Sequence, residues 1–255
     1  MVVSPEHRYV FIEIPLTGSW AIRNELCQHY GGKPILHKHA TYSEFNRWAG
    51  GKGREYFVFG TVRHPLDELV SRYLKIKNDH KGVFTNAEAL RAKRVEDADL
   101  RQFAFIRETD ASFADYFGRY RRRTFGSFLD LSSEFMTFVM RFERLQQDFA
   151  AVLETLGMEQ VRQVPVANAT IGKNGDWTCY YTPEVIDQAK RTCAPFMSRW
   201  GYEFPPEWGT YEPSRRENLG YGLSVWLRKI YAENIRYQDN PLASAARWLR
   251  ARLVR

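Results

Sequence analysis

The chain has 255 residues, 44% hydrophobic and 26% charged, the make-up of a folded globular protein and not of a disordered one. Its 37 Lys and Arg against 30 Asp and Glu leave a formal charge of +7, which points to an anionic partner: nucleotide, nucleic acid, acidic glycan or lipid surface. Cys27, Cys179 and Cys193 are too widely spaced for a metal-ligand set and read as reduced thiols, and no stretch approaches the roughly 18 apolar residues of a membrane span or the core of a secretory signal, so a cytoplasmic protein is expected.

The first predicted element is a strand over Tyr9–Ile14, in "YVFIEIPLTGSWAI", which enters a Pro-x-Thr-Gly turn. A helix follows over Trp20–Tyr30, with Ile22, Leu26 and Tyr30 at four-residue spacing. A strand that delivers the chain into a helix N-terminus presents backbone N–H groups to an anion. Thr17 and Ser19 add hydroxyls there, and Gly18 permits close approach. Position 16 is a leucine and the spacing is not that of a Walker A loop. Taken alone, an ordinary turn whose Thr or Ser caps the helix is the plainer reading.

"GGKPIL" gives a short second strand, and on its continuation a His-x-His pair, His37 and His39, would carry both rings on one face. A helix is expected near Tyr42–Ala49, then a buried strand over Tyr56–Val62 and a helix opened by Pro65. Arg63, at the end of that strand, can hold a phosphate bidentately, with Ser71 two turns into the helix as a supplement. Pairing of Arg63 with Asp67 is the alternative. Residues 81–127 read as a polar, helical insertion beside the core. Within it Arg119, Tyr120, Arg121 and Arg122 combine cations with aromatic surface, which suits a sugar carrying carboxylates or sulfates and equally a solvated basic face.

A strand over Phe135–Phe142 precedes a helix stopped by Gly157, and a later helix capped by Thr182 is expected to end or kink at Pro195. The strand–helix alternation predicts an α/β domain over 1–206, a mostly parallel sheet flanked by helices. Residues 207–255 form a basic helical extension. Its stripe Leu242, Ala246, Leu249 and Leu253 among Arg247, Arg250, Arg252 and Arg255 suits packing on the domain or a partner, or peripheral contact with an anionic inner membrane surface.

Strand–"IPLTG"–helix followed by "VRHPLDELVSRYLK" resembles the sulfotransferase family. "FVMRFERLQQDFAAVLETLGM", "VPVANAT" and "YYTPEVIDQAKRTCAPFMSRWGYEF" follow in the family's order, so the resemblance spans about Tyr9 to Phe204. It implies the P-loop-like sulfotransferase fold and 3′-phosphoadenosine-5′-phosphosulfate (PAPS) as donor, with no metal. It also implies that the backbone of Thr17, Gly18, Ser19 and Trp20 and the Thr17 and Ser19 hydroxyls hold the 5′-phosphosulfate, and that Arg63 and Ser71 hold the 3′-phosphate. The His-x-His is similar to that of the uronyl 2-O-sulfotransferases. That similarity implies His39 as general base, His37 as its neighbour, and an acidic or neutral saccharide or glycoconjugate acceptor. An imidazole titrating near neutrality suits proton removal from a hydroxyl. Glu13 is a rival base, as a carboxylate near this loop serves some relatives.

Relatives carry lysine where this chain has Leu16, and hydroxyls where it has Trp20 and Ala21. Lys38, Arg23 and Lys173 are the candidates to supply the missing charge. A non-catalytic relative that binds nucleotide or acidic glycan is the alternative reading. A nucleotide kinase is disfavoured by the missing Walker lysine, and no nucleic-acid motif accompanies the basic charge.

Overall fold

The run Phe57–Val62 is the strand on which the sheet is built. In the computed structural model, which describes residues 1–91 and 97–234, the strands and α-helices in chain order are β1 (Val2–Ser4), β2 (Tyr9–Phe11), α1 (Ser19–His29), β3 (Lys33–Pro34), α2 (Tyr42–Trp48), β4 (Phe57–Val62), α3 (Pro65–Lys77), α4 (Ala87–Arg91), α5 (Asp97–Thr109), α6 (Phe113–Tyr120), β5 (Phe138–Arg141), α7 (Leu145–Thr155), α8 (Pro183–Trp200) and α9 (Arg215–Asn234). The sheet order is β3-β1-β2-β4-β5. β2, β4 and β5 are parallel, with Phe11 opposite Phe59 and Phe59 opposite Phe138. β1 runs antiparallel to β2, and β3 antiparallel to β1. β4 has a parallel neighbour on each side and is buried from Val58 to Val62, which explains its continuous apolar run.

The described residues divide into two compact units. The first comprises Met1–His64, Gly126–Ala169 and Arg228–Glu233; the second holds Pro65–Phe125 and Thr170–Leu227. In the first, Tyr9, Phe11 and Phe59 pack ring to ring, with centroids 5.9 and 5.2 Å apart. Ile22 and Leu26 of α1 and Phe149, Val152 and Leu153 of α7 complete that core. The second is helical around an aromatic cluster of Tyr73, Phe113, Tyr116, Phe117 and Tyr181.

Several expectations are corrected. β1 has no sequence signal, since three residues carry no period. Chain pairing in β2 stops at Phe11, although Ile12 N still donates to Phe59 O at 2.9 Å, because the backbone leaves the ladder to build the following loop. Strand β3 ends at Pro34, which has no N–H to continue a ladder, so His37 and His39 lie in the turn beyond it and not on a strand. The strand expected over Phe135–Phe142 is confined to Phe138–Arg141, with tight 3-10 turns at both flanks. Of the two outcomes expected at Pro195, an end or a kink, the end does not occur in α8. It runs on to Trp200 and closes at Gly201 (φ 61°), carried past the missing hydrogen bond by the burial of Ala194, Pro195, Phe196 and Met197. No helix of the described residues is long and apolar enough to cross a membrane. The stripe Leu242–Leu253 and its arginines lie outside the described residues.

One buried hydroxyl yields a stability prediction. Thr61 on β4 is fully buried and its Oγ1 has no partner among the described residues. Thr61→Val keeps the branched shape and removes the orphaned group, so it is expected to stabilise the fold by about 1 kcal/mol. Thermal unfolding of the two proteins checks this; a lower Tm in the valine variant would show that the hydroxyl is satisfied in solution.

Candidate active site

β2 delivers the chain into α1 through Ile12–Gly18, and this loop is built on two left-handed residues. Gly18 is the N-cap of α1 at φ 74°, which favours glycine, and a Cβ there would press on the Leu145 and Phe142 side chains at 3.3 Å. Leu16 is also left-handed, at φ 64°, which costs an L-residue about 1–2 kcal/mol. No side chain caps the first turn of α1. The capping expected of Thr17 does not occur: its hydroxyl is fully buried and donates back to Ile14 O at 2.9 Å, closing the loop on itself. Ala21 N donates to Gly18 O at 3.0 Å within the first turn, and the N-terminus of α1 carries the partial positive charge that favours an anion. Ser19 is the buried first residue of α1, and Trp20 beside it is 41% exposed.

The strained Leu16 is held from the neighbouring strand. Arg63, just past the end of β4, is buried and donates from Nη1 to Leu16 O at 2.6 Å. Its guanidinium lies over the Phe142 ring, 4.1 Å from the centroid. In the second unit Asp67 pairs with Lys173. That ion pair also commits one of the three cations considered as substitutes for a loop lysine. Ser71 is fully buried on α3 of the second unit.

The two histidines diverge. His39 Nδ1 lies 2.8 Å from the carbonyl oxygen of Glu13. A carbonyl only accepts, so Nδ1 carries the proton and Nε2 of the neutral ring bears the lone pair. Burial holds the His39 pKa below its ordinary value, partly offset by that hydrogen bond, which keeps the ring neutral at pH 7. His37 turns instead to Glu44 Oε1 at 2.8 Å. Glu44 with Thr41 forms the capping box of α2, so His37 belongs to that helix start. The Glu13 side chain is buried, with Oε1 accepting from Met1 N at 2.6 Å and from Arg23 Nη1 at 3.1 Å. Arg23 is thereby committed to Glu13, while Lys38 remains exposed next to His39.

In the second unit, Arg119 stacks on Phe105 at 4.7 Å and Tyr120 OH reaches Arg101 O at 3.4 Å. Arg121 is turned onto Gln102 and Tyr116. Arg122 donates from Nε to Gly118 O at 3.1 Å. The four residues read together from the sequence thus serve different neighbours. What sequence reasoning did not find is the role of two backbone carbonyls, those of Glu13 and Leu16, and the platform of Phe142. A backbone carbonyl occurs at every residue and has no signature; an aromatic at the end of a predicted strand was the one available hint.

A parallel strand that feeds a glycine-capped helix, with an arginine from the adjacent parallel strand bracing the loop, is the α/β arrangement that offers backbone donors to an anionic ligand. The sequence model of the sulfotransferase family matches residues 1–191, and the chain belongs to that family. No curated protein and no solved structure matches it.

Proposed function

We propose that the protein transfers a sulfuryl group from PAPS to a hydroxyl of a saccharide or glycoconjugate, with His39 as general base. Family membership supports sulfuryl transfer in general. The observation that carries the finer reading is the pair of tethers on one loop. His39 is tied to Glu13 O at 2.8 Å and Arg63 to Leu16 O at 2.6 Å, so the proposed base and the proposed phosphate ligand brace the same segment of the first unit.

The chemistry of the first unit's residues suits the donor: the N-terminus of α1 and the hydroxyl of Ser19 suit the 5′ end, Arg63 the 3′-phosphate, and the indole of Trp20 a flat ring, while Ser71 is assigned to the 3′-phosphate by the resemblance of its motif alone. When bound, PAPS supplies the sulfuryl group and a bisphosphate leaving group: the acceptor O–S bond forms as the bridging S–O bond to phosphate breaks. His39 Nε2 takes the hydroxyl proton. The helix N-terminus is left to stabilise negative charge that a lysine at position 16 would otherwise meet. Similarity of His37-Lys38-His39 to the uronyl 2-O-sulfotransferases supports a saccharide acceptor.

Leu16 also favours a second reading, a relative that binds donor or acidic glycan with little turnover. Leu16→Lys discriminates between them. Position 16 is already left-handed, so the exchange adds charge without new backbone strain. Turnover of labelled PAPS over a panel of glycans is expected to rise by about 10²-fold in the lysine variant. Sulfated product from neither protein, with any acceptor, would sink the enzymatic reading.

A further inference from the structure

The helical unit has a groove, lined by several polar side chains, that the proposed donor chemistry does not use. It has a volume of about 470 Å³ and is lined from three places: Gln188, Arg191 and Thr192 on α8, Gly118 of α6 with Arg122 just beyond it, and Glu217 at the start of α9. Gln188, Arg191 and Thr192 stand at i, i+3 and i+4, so α8 presents them on one face. The lining is held in place by backbone. Gln188 Nε2 donates to Phe117 O and Arg121 O at 3.1 and 2.9 Å, and Thr192 Oγ1 donates to Arg121 O at 3.0 Å. These bonds leave the Gln188 carbonyl oxygen as an acceptor.

The two guanidiniums are the informative feature. Arg122 spends Nε on Gly118 O, and among the described residues no carboxylate forms an ion pair with Arg122 or Arg191. Glu217 shares the groove; its oxygens accept from Tyr211 Oη at 2.7 Å and from Ser214 N and Oγ at 2.7 and 2.8 Å, and its charge acts on Arg191. Two exposed guanidiniums against that one carboxylate leave the groove with a net positive charge. One fixed carboxylate beside them disfavours a polyphosphate and favours a ligand that has a single acidic group and many hydroxyls. The volume falls in the range of small-ligand sites.

We propose that this groove holds the acidic part of a saccharide, a ring carboxylate or sulfate between Arg122 and Arg191, with Gln188 and Thr192 facing sugar hydroxyls. The choice of a saccharide rests on the sulfotransferase reading above; the preference for an anion does not.

Calorimetry on the full chain tests it with four probes: an unsulfated uronate tetrasaccharide, its sulfated counterpart, a neutral tetrasaccharide of the same length, and 3′-phosphoadenosine-5′-phosphate. Two variants are compared with wild type. Arg122→Ala combined with Arg191→Ala removes the cations. Gly118→Leu fills the groove from α6; a Cβ at Gly118 meets no atom within 4 Å, and replacing a helical glycine favours the fold. At least one acidic saccharide is expected to bind about tenfold or more tightly than the neutral one, and about tenfold or more weakly in either variant. Bisphosphate affinity is expected to be the same in all three proteins. Equal binding of acidic and neutral sugars, or indifference to both variants, overturns the proposal. Loss of bisphosphate binding in the double variant also overturns it, since the groove would then be a nucleotide site. Failure of wild type to bind bisphosphate, with the acid preference intact, refutes the donor reading and leaves the groove standing.

Discussion

Arg63→Ala is expected to weaken binding of 3′-phosphoadenosine-5′-phosphate by about 10²-fold or more and to destabilise the fold at the same time. The two losses have separate causes. A buried, planar guanidinium makes charge-assisted, bidentate bonds to a phosphate, each worth about 1.5–3 kcal/mol. The same group holds the Leu16 carbonyl at 2.6 Å, and its removal leaves that acceptor without its donor on a left-handed leucine, a cost of about 1–3 kcal/mol. Calorimetry against ADP isolates the first effect, because ADP lacks the 3′-phosphate and its affinity is expected to change far less. Thermal unfolding isolates the second. Arg63→Lys keeps the charge but offers no planar fork, so it is expected to recover only part of the affinity. If wild type binds both nucleotides equally, or the alanine variant loses stability without losing affinity, Arg63 is a brace for the loop and not a phosphate ligand.

His39→Ala is expected to lower turnover by about 10²–10⁴-fold while bisphosphate affinity is preserved. The pH dependence follows from the direction of the His39 shift. Burial lowers the pKa of the ring in the folded protein, and only the neutral ring can accept a proton. The rate is therefore expected to be flat around pH 7 and to fall only as pH drops through a pKa below 6.5. Stability follows the same sign. The unfolded chain takes up this proton near pH 6.5, before the folded chain does, so His39 contributes stability above that pH which is lost as pH falls toward the folded pKa. The alanine variant should lack that acid sensitivity. His39→Asn supplies the control, since its amide can still donate to Glu13 O: a variant that keeps Tm and loses rate assigns His39 to proton transfer, whereas one that keeps the wild-type rate and acid limb removes it from the mechanism.

Much of the scaffold was legible because its signals are local. The apolar run Phe57–Val62, the proline that opens α3, and Gly157 (φ 68°) behind α7 each declare a structure within a few residues of themselves. Glycine at position 18 is favoured by a left-handed turn and by the close approach of Leu145 and Phe142, and only the first of these could be guessed from the chain. The ordered set of motifs was enough to identify the family, since each piece combines residue type with spacing. Where local signals conflict, packing takes part in the outcome: Pro195 could have ended α8, yet the helix runs on to Trp200 with Ala194–Met197 buried.

The sequence by itself thus determined a parallel α/β core, the loop between β2 and α1, and membership of the sulfotransferase family. Only the tertiary structure decided how that loop is held. Arg63 reaches Leu16 across 47 residues of chain and His39 reaches Glu13 across 26, and in both cases the partner is a backbone carbonyl. Every residue has such a carbonyl, so no residue type marks the one that will be used. Which carbonyl meets which side chain is set by strand order and by where the ladder releases the chain, and these exist only once β2 lies beside β4.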